Sequence, residues 1–253
     1  MLISSLPSDE AKKIIDLSAG EGSLLSTATV KYKGAKLYGI DIDDENCRKL
    51  DLLKNTTSMC LDATHSASFD KIKAHNNTYD IVIGNPPFYR AEHTDFSREL
   101  FNEWSLNNKT KYYRAEILFL ILSLKLLDRE GSCGIVIPDT LISTDKYKPL
   151  REKIATLFKF INIIELDNKT FLGTEARTHI LTVSNKKSIT SSIITKSSKE
   201  NKSIILNKKE FIERADHQYN SFKYNHSEET IEKFGIKVLR GNLSKTKSTK
   251  LHD

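Results

Sequence analysis

The chain has 253 residues, of which 28% are charged and 38% hydrophobic, and its formal net charge at pH 7 is +6. This length is enough for one good-sized α/β core with an appendage. No stretch approaches the roughly 20 consecutive apolar residues that span a bilayer, and the N-terminus lacks a signal-peptide pattern. We therefore expect a cytoplasmic protein without a membrane-spanning segment.

The cysteines and histidines exclude two further classes. Cys47, Cys60 and Cys133 are irregularly spaced, which favours free thiols in a reducing compartment over disulfides. The seven histidines show no metal-ligand spacing such as His-Glu-x-x-His. We expect no metal site.

Short apolar runs alternate with helical stretches from residue 13 to about residue 183. This alternation is typical of a doubly wound α/β sheet. We predict a mostly parallel seven-stranded sheet whose last strand is antiparallel, because only a short segment containing Gly173 separates the last two apolar runs. Helices are expected after Gly22 and near residues 43–53, 66–74, 115–127 and 147–158. The predicted strands are residues 14–17, 36–40, 58–61, 80–83, 133–137, 161–165 and 178–183.

Composition divides the chain into a domain with nearly balanced charge, residues 1–185, and a basic appendage, residues 186–253. The first part carries 24 Lys+Arg against 25 Asp+Glu, whereas the second carries 15 against 8, a net charge of +7. This asymmetry favours a polyanionic partner, although a solvated lysine-rich surface is an equal alternative. Residues 89–114 form a polar, aromatic-bearing insertion of the kind that contacts substrates.

The first strand runs into a glycine turn, Asp16-Leu17-Ser18-Ala19-Gly20-Glu21-Gly22. Gly20 and Gly22 permit a tight turn and close approach to a ligand, and the following helix presents free amides. A bare Gly-x-Gly is a weak signal for a cofactor. The second strand ends at Asp41, about 20 residues downstream, where a carboxylate suits a pair of ribose hydroxyls. Asp43 and Asp44 are better suited to cap a helix.

Two further strand ends carry polar groups. Asp62 follows the third strand, where it could accept a hydrogen bond from an adenine amino group or form a turn. The fourth strand ends in Asn85-Pro86-Pro87-Phe88. The two prolines fix the backbone and remove two amide donors, which leaves the Asn85 amide and the Pro86 carbonyl as rigid acceptors. Such a site could hold a planar amino group on a nucleobase.

The order of these four features resembles the S-adenosylmethionine-dependent DNA methyltransferases that methylate amino groups. The resemblance covers roughly residues 11–185 and is specific to adenine-N6 enzymes whose cofactor motif precedes the catalytic one. It implies a Rossmann-like methyltransferase fold and methyl transfer from S-adenosyl-L-methionine to the N6 amino group of adenine in double-stranded DNA. It also implies base flipping and membership of a modification system.

The resemblance assigns a role to individual residues. Asn85, Pro86, Pro87 and Phe88 match the catalytic tetrapeptide. Phe88 and Phe171 are the candidate surfaces for stacking the extruded base, although Phe171 could instead pack in the core. Asp16 would lie near the methionine amine, and Ile42 against the adenine. The implied cofactor-binding residues are Asp16, Ser18, Ala19, Gly20, Gly22, Asp41, Ile42, Asp62, Ala63, Asn85 and Pro87.

Alternatives stay open. Similar tetrapeptides occur in enzymes that methylate amino groups in RNA or a glutamine side chain in protein, and a non-catalytic DNA-binding subunit is a third possibility. Three features favour DNA: the long insertion, the late motif at residues 171–181 and the basic appendage.

The sequence also predicts that a second polypeptide takes part in target recognition. Family members usually carry a segment before the cofactor loop and a sizeable target-recognition domain after the core. Here about a dozen residues precede the loop, and residues 238–243 resemble only the beginning of such a domain. We expect one part of a split enzyme whose partner subunit supplies most sequence recognition. A truncated chain is the alternative.

Overall fold

The computed structural model describes residues 1–166, 177–197 and 203–213. The helices are α1 (Leu2–Ser5), α2 (Ser23–Lys31), α3 (Asp44–Asp51), α4 (Ser66–His75), α5 (Asp95–Glu103), α6 (Ala115–Leu126), α7 (Asp139–Ser143) and α8 (Lys148–Leu157). The strands are β1 (Lys13–Asp16), β2 (Lys36–Asp41), β3 (Thr56–Cys60), β4 (Tyr79–Gly84), β5 (Arg90–Glu92), β6 (Tyr112–Arg114), β7 (Leu127–Pro138), β8 (Phe160–Glu165), β9 (Thr178–Ser184), β10 (Ser192–Ser197) and β11 (Ser203–Leu206).

The central sheet has the order β11-β10-β8-β9-β7-β4-β1-β2-β3. Strands β7, β4, β1, β2 and β3 are parallel to one another, whereas β9 is antiparallel to both β7 and β8. The seven predicted strands all form, and the doubly wound α/β class with an antiparallel β9 is confirmed. The strand order reverses between β1 and β4, which creates a crevice at the carboxyl edge of the sheet.

Two described strands beyond residue 185 also join the sheet. β10 pairs parallel with β8, and β11 pairs antiparallel with β10. β11 forms the edge of the sheet, and its Ile205 is 76% exposed. Residues Met1–Asp216 form one compact unit, so the boundary predicted at residue 185 falls inside that unit.

Side chains of the parallel strands alternate between two buried faces, as period-two geometry requires. Ile14, Ile81 and Ile83 belong to one apolar cluster, which also contains residues of α1 and α2. Ile15 and Val82, the intervening residues, are equally buried. Buried on both faces, β1 and β4 place their carboxyl ends firmly at the crevice.

Helix α6 is apolar on every side, and only Lys125 is not buried. A helix that is hydrophobic all round lies in the interior. It packs against β4 and β7 and is contacted by α5. No described helix combines the length and the apolar content that crossing a lipid bilayer requires.

Gly22 caps the N-terminus of α2 in a left-handed conformation with φ of +85°. A Cβ at this position would lie 2.5 Å from Leu53 Cδ1 and 2.8 Å from Leu50 Cδ2. Leu50 is fully buried, so it has little room to move. Gly34 has a similar φ of +83°, but a Cβ there would meet nothing within 4 Å.

These two glycines allow a matched test. We expect Gly22→Ala to lower the free energy of unfolding by about 2–4 kcal/mol, because it combines backbone strain with overpacking. Gly34→Ala should cost only about 1 kcal/mol, because strain alone applies. Urea unfolding of the two variants measures both values. Equal losses would contradict the packing role of Gly22.

Candidate active site

A cavity of about 390 Å³ opens at the carboxyl edge of the sheet, between the ends of β1, β2, β3 and β4. This volume is within the range of small-molecule sites. Its wall is formed by eleven side chains from four strand ends and α6: Leu17, Ser18, Asp41, Ile42, Leu61, Asp62, Ala63, Asn85, Pro87, Tyr89 and Phe119.

Hydrogen bonds join the glycine turn after β1 to the end of β2. The Ala19 amide donates to the Ile40 carbonyl at 2.8 Å, and the Gly20 amide donates to Asp41 Oδ2 at 2.7 Å. Gly20 has a φ of +53°, a conformation that glycine adopts without steric cost. The turn is therefore held against β2 by the protein's own groups.

The Asp41 carboxylate is already engaged by three donors. Oδ1 accepts from the Asp43 amide at 3.0 Å and from Asn46 Nδ2 at 3.2 Å, and Oδ2 accepts from Gly20. A carboxylate offers about four acceptor sites, so Oδ2 retains one for a ligand hydroxyl. Asp43 caps α3 through the amides of Glu45 and Asn46, and the cap expected at Asp43 or Asp44 is confirmed at Asp43.

Asp62 is compatible with both of the roles that the sequence left open, which are turn formation and ligand contact. Its Oδ1 accepts from the Thr64 amide at 2.9 Å and from the Thr64 hydroxyl at 2.6 Å, which makes a turn. Its Oδ2 lies 2.9 Å from His65 Nδ1. The side chain also lines the cavity. Turn formation and ligand contact are therefore compatible at this residue.

The tetrapeptide begins directly after β4. Asn85 is exposed, and within the described ranges its side chain makes no hydrogen bond to the protein. Pro86 is buried, whereas Pro87 lines the cavity beside Asn85. Phe88 is partly exposed on the surface outside the cavity wall. The free Asn85 amide is the polar group most available to a substrate.

Other predicted residues lie away from the cavity wall. Asp16, Ala19, Gly20 and Gly22 form the turn behind it. Phe171, the second candidate stacking surface, lies outside the described residues.

The wall also contains residues that the sequence did not single out. Leu17 and Leu61 directly follow β1 and β3, so a strand-end rule could have found them. Phe119 lies on α6. Because this helix is apolar on every side, its sequence pattern does not indicate which side faces the cavity. Tyr89 is the first residue of the insertion at residues 89–114 that the sequence marks as substrate-contacting, and the structure places it on the wall.

Asp16 is the most perturbed acid of the site. It is 1% exposed, and burial raises its pKa from 3.8 to about 7. The Ser18 amide donates to Oδ1 at 2.9 Å, which opposes this shift, while the nearby charge of Asp41 adds to it. A cationic group beside Asp16 would favour the ionised carboxylate.

The wall combines apolar and acidic surfaces in a pattern that fits S-adenosylmethionine. Ile42 is 70% exposed although it is apolar, and together with Ala63 it offers a surface for a flat ring. Asp41 and Asp62 supply acceptors for hydroxyl and amino groups. His, Cys, Asp and Glu side chains of the described residues form no group of three suited to a metal ion.

A family model for N-6 DNA methylase matches residues 1–250. This chain belongs to the N-6 DNA methylase family. The chain is 21% identical over 174 residues to the type II methyltransferase M.CvrRI of Paramecium bursaria Chlorella virus XZ-6E, covering 69% of this chain and 42% of that protein. It is 32% identical over 83 residues to the rRNA N(6)-adenosine-methyltransferase metl-5 of Caenorhabditis elegans, covering 31% of this chain and 38% of that protein.

Solved structures show the same fold. A type I restriction-modification system methyltransferase subunit from Streptococcus thermophilus superposes with a TM-score of 0.62 at 16% identity, covering 88% of this chain and 50% of that chain. The chain thus spans half of that subunit and less than half of M.CvrRI and of metl-5.

Burial of Asp16 predicts a pH effect on stability. Because the pKa is raised in the folded protein, the folded state binds more protons than the unfolded state between about pH 4 and pH 7. Stability from this group is therefore greatest at low pH and is lost as pH rises through this window. Asp16→Asn keeps the acceptor for the Ser18 amide but cannot ionise.

We expect the stability of Asp16→Asn relative to the unsubstituted protein to rise by about 2–3 kcal/mol between pH 5 and pH 8. Urea unfolding at both pH values measures the difference. Asp70→Asn, at an exposed position on α4, is the control and should show little change. A difference for Asp16→Asn that does not depend on pH would contradict a raised pKa.

Proposed function

We propose that this protein transfers a methyl group from S-adenosyl-L-methionine to the N6 amino group of adenine in DNA. The supporting observation is the side chain of Asn85, which lies at the wall of a cavity that the ends of four strands surround and makes no hydrogen bond to any described residue. Membership of the N-6 DNA methylase family supports the same reaction.

In this proposal the cavity wall holds the cofactor. Asp16 would pair with the methionine amine, the free site on Asp41 Oδ2 would accept from a ribose hydroxyl, and Asp62 would accept from the adenine amino group. Ile42 and Ala63 would cover the adenine ring, while Ser18 and Pro87 line the remaining wall. When bound, S-adenosylmethionine supplies a sulfonium methyl group within reach of a nucleophile.

The tetrapeptide would position the base. An exocyclic amine is a poor nucleophile because its lone pair is delocalised into the ring. The Asn85 side-chain oxygen and the Pro86 carbonyl would accept hydrogen bonds from its two N–H groups and favour a pyramidal nitrogen, so that positioning and electrostatics supply most of the rate. A base in a duplex cannot reach this cavity, so it must be flipped out. Phe88 and Phe171 would stack on it.

A second candidate, methylation of adenosine in RNA, is favoured by one observation. The match to the rRNA methyltransferase is 32% identical, but it covers only 31% of this chain. DNA is preferred because the family model spans residues 1–250. Incorporation of label from tritiated S-adenosylmethionine into duplex DNA and into rRNA separates the two. Label in RNA alone would overturn the proposal.

We also propose a role for the basic segment 186–253 in target recognition or in docking a second subunit. Its net charge of +7 suits contact with phosphates. The similar type I protein from Streptococcus thermophilus is the methyltransferase subunit of a restriction-modification system. Since β10 and β11 lie in the central sheet, we assign this role to residues 214–253, which carry 8 Lys+Arg against 5 Asp+Glu and lie outside the described residues.

Substitution of Asn85 tests the catalytic role. We expect Asn85→Ala to lower the rate of methyl transfer about 100-fold or more, because the amine loses an oriented acceptor. Binding of S-adenosylmethionine, measured by calorimetry, should persist, because the carboxylates of the cavity are unchanged. Tritium transfer to duplex DNA measures the rate.

The matched control is Asn77→Ala. Asn77 is exposed and precedes β4, whereas Asn85 follows the same strand. This variant should transfer methyl groups at the unsubstituted rate. Equal activity of the Asn85→Ala and Asn77→Ala proteins would refute the catalytic role of Asn85.

A further inference from the structure

The insertion after the tetrapeptide contains a small hairpin whose outer face the proposed reaction does not use. β5 and β6 pair antiparallel in the register Arg90↔Arg114, Ala91↔Tyr113 and Glu92↔Tyr112. β5 begins two residues after Phe88. The Ala115 amide donates to the Tyr89 carbonyl at 2.9 Å, so the hairpin is joined to a residue of the cavity wall.

The inner face of the hairpin is fixed by packing. Tyr113 is buried, and its ring centroid lies 4.8 Å from that of His93 and 5.4 Å from that of Phe101. His93 Nδ1 lies 3.0 Å from Ser97 Oγ, and Ser97 closes a capping box with Thr94 at the start of α5. The hairpin therefore has a small core of its own and presents its outer face in a defined position.

The outer face is basic and carries an exposed aromatic ring. Side chains at alternate positions share a face, so Arg90, Tyr112 and Arg114 project together with the acidic Glu92. Tyr112 is 39% exposed. The Arg90 guanidinium carbon lies 5.4 Å from its ring centroid, and Lys111 Nζ lies 5.1 Å from it. Cations and an aromatic ring in this arrangement are typical of surfaces that bind nucleic acid.

Charge on this face is only partly neutralised. Lys111 pairs with Glu92 at 3.1 Å, and Arg114 Nε pairs with the fully buried Glu116 at 2.7 Å. Arg90 makes no ion pair with a described carboxylate. It stands directly opposite Arg114, whose charge Glu116 already balances. Arg90 therefore carries the excess positive charge of this face, which a phosphate would neutralise.

We propose that the outer face of the β5–β6 hairpin binds the phosphate backbone of the DNA strand that carries the target adenine, beside the extruded nucleotide. Arg90 and Arg114 contact a phosphate, and Tyr112 packs against the adjoining sugar or base. This inference rests on the proposed function, because it places the phosphates next to a base held at Asn85. Proximity supports it, since Tyr89 belongs to the cavity wall and directly precedes Arg90.

Fluorescence anisotropy tests the proposal with the full chain, saturating S-adenosylmethionine and a labelled duplex that contains one mismatched adenine. Mismatched bases are extruded at lower cost. We expect Arg90→Gln to weaken binding about tenfold and to reduce the slope of log affinity against log salt by about 1, because one phosphate contact is lost. Tyr112→Leu should also weaken binding about tenfold, with the slope unchanged.

The matched control is Arg129→Gln, which removes the same charge at an exposed position in the first part of β7. It should bind DNA with the affinity and salt slope of the unsubstituted protein. Thermal melts followed by circular dichroism, and calorimetry with S-adenosylmethionine, should show unchanged fold and cofactor binding in all three variants. If Arg90→Gln matches Arg129→Gln in affinity and slope, the proposal fails.

Methyl transfer by the unsubstituted protein separates this inference from the proposed function. If that protein methylates DNA and Arg90→Gln retains its KM for DNA, the hairpin proposal fails while the proposed function stands. If it binds DNA through Arg90 without methylating it, the phosphate contact of the hairpin stands, whereas the proposed function and the placement beside a target adenine fail. A raised KM for DNA with unchanged kcat supports both.

Discussion

The hydrogen bond between the Gly20 amide and the Asp41 carboxylate determines the shape of the site. It joins the turn that follows β1 to the last residue of the parallel strand β2, beside the point where the strand order reverses. The same carboxylate accepts from Asp43 and Asn46, so the start of α3 is fixed along with the glycine turn. The cavity wall is thereby ordered before any ligand arrives, at the cost of most of the acceptor capacity of Asp41. One acceptor site on Asp41 remains. It is enough to orient a ligand, but the affinity for that ligand must come from the rest of the cavity wall.

The parts of this fold that follow local rules could be predicted from sequence. Apolar runs bounded by turns identified the strands of the central sheet, because strands buried on both faces read as continuous hydrophobic segments. Strand ends then identified the polar residues of the cavity, since parallel strands gather their carboxyl ends at one edge. Asp41, Asp62 and Asn85 were found in this way, and all line the cavity.

What escaped prediction depends on packing between distant segments. β10 is short and four of its six residues are Ser, Thr or Lys, and it forms because β8 offers an edge to pair with. Phe119 reaches the cavity from a helix whose sides are all apolar, so no periodic signal marks the residue. Asp16 has a raised pKa because it is buried, and this burial depends on the layers that pack above and below β1. Local sequence carries none of this information.

The position of β9 has a consequence for how the chain is made. β8 precedes β9 in sequence, yet it does not touch β7, because β9 lies between them and pairs with both. During synthesis on the ribosome, β7 therefore keeps an open edge, and β8 has nowhere to dock on the existing sheet, until residue 184 has emerged. Open strand edges invite pairing with other chains. Late arrival of one buried strand thus makes the nascent protein dependent on rapid completion, or on a chaperone, at this stage.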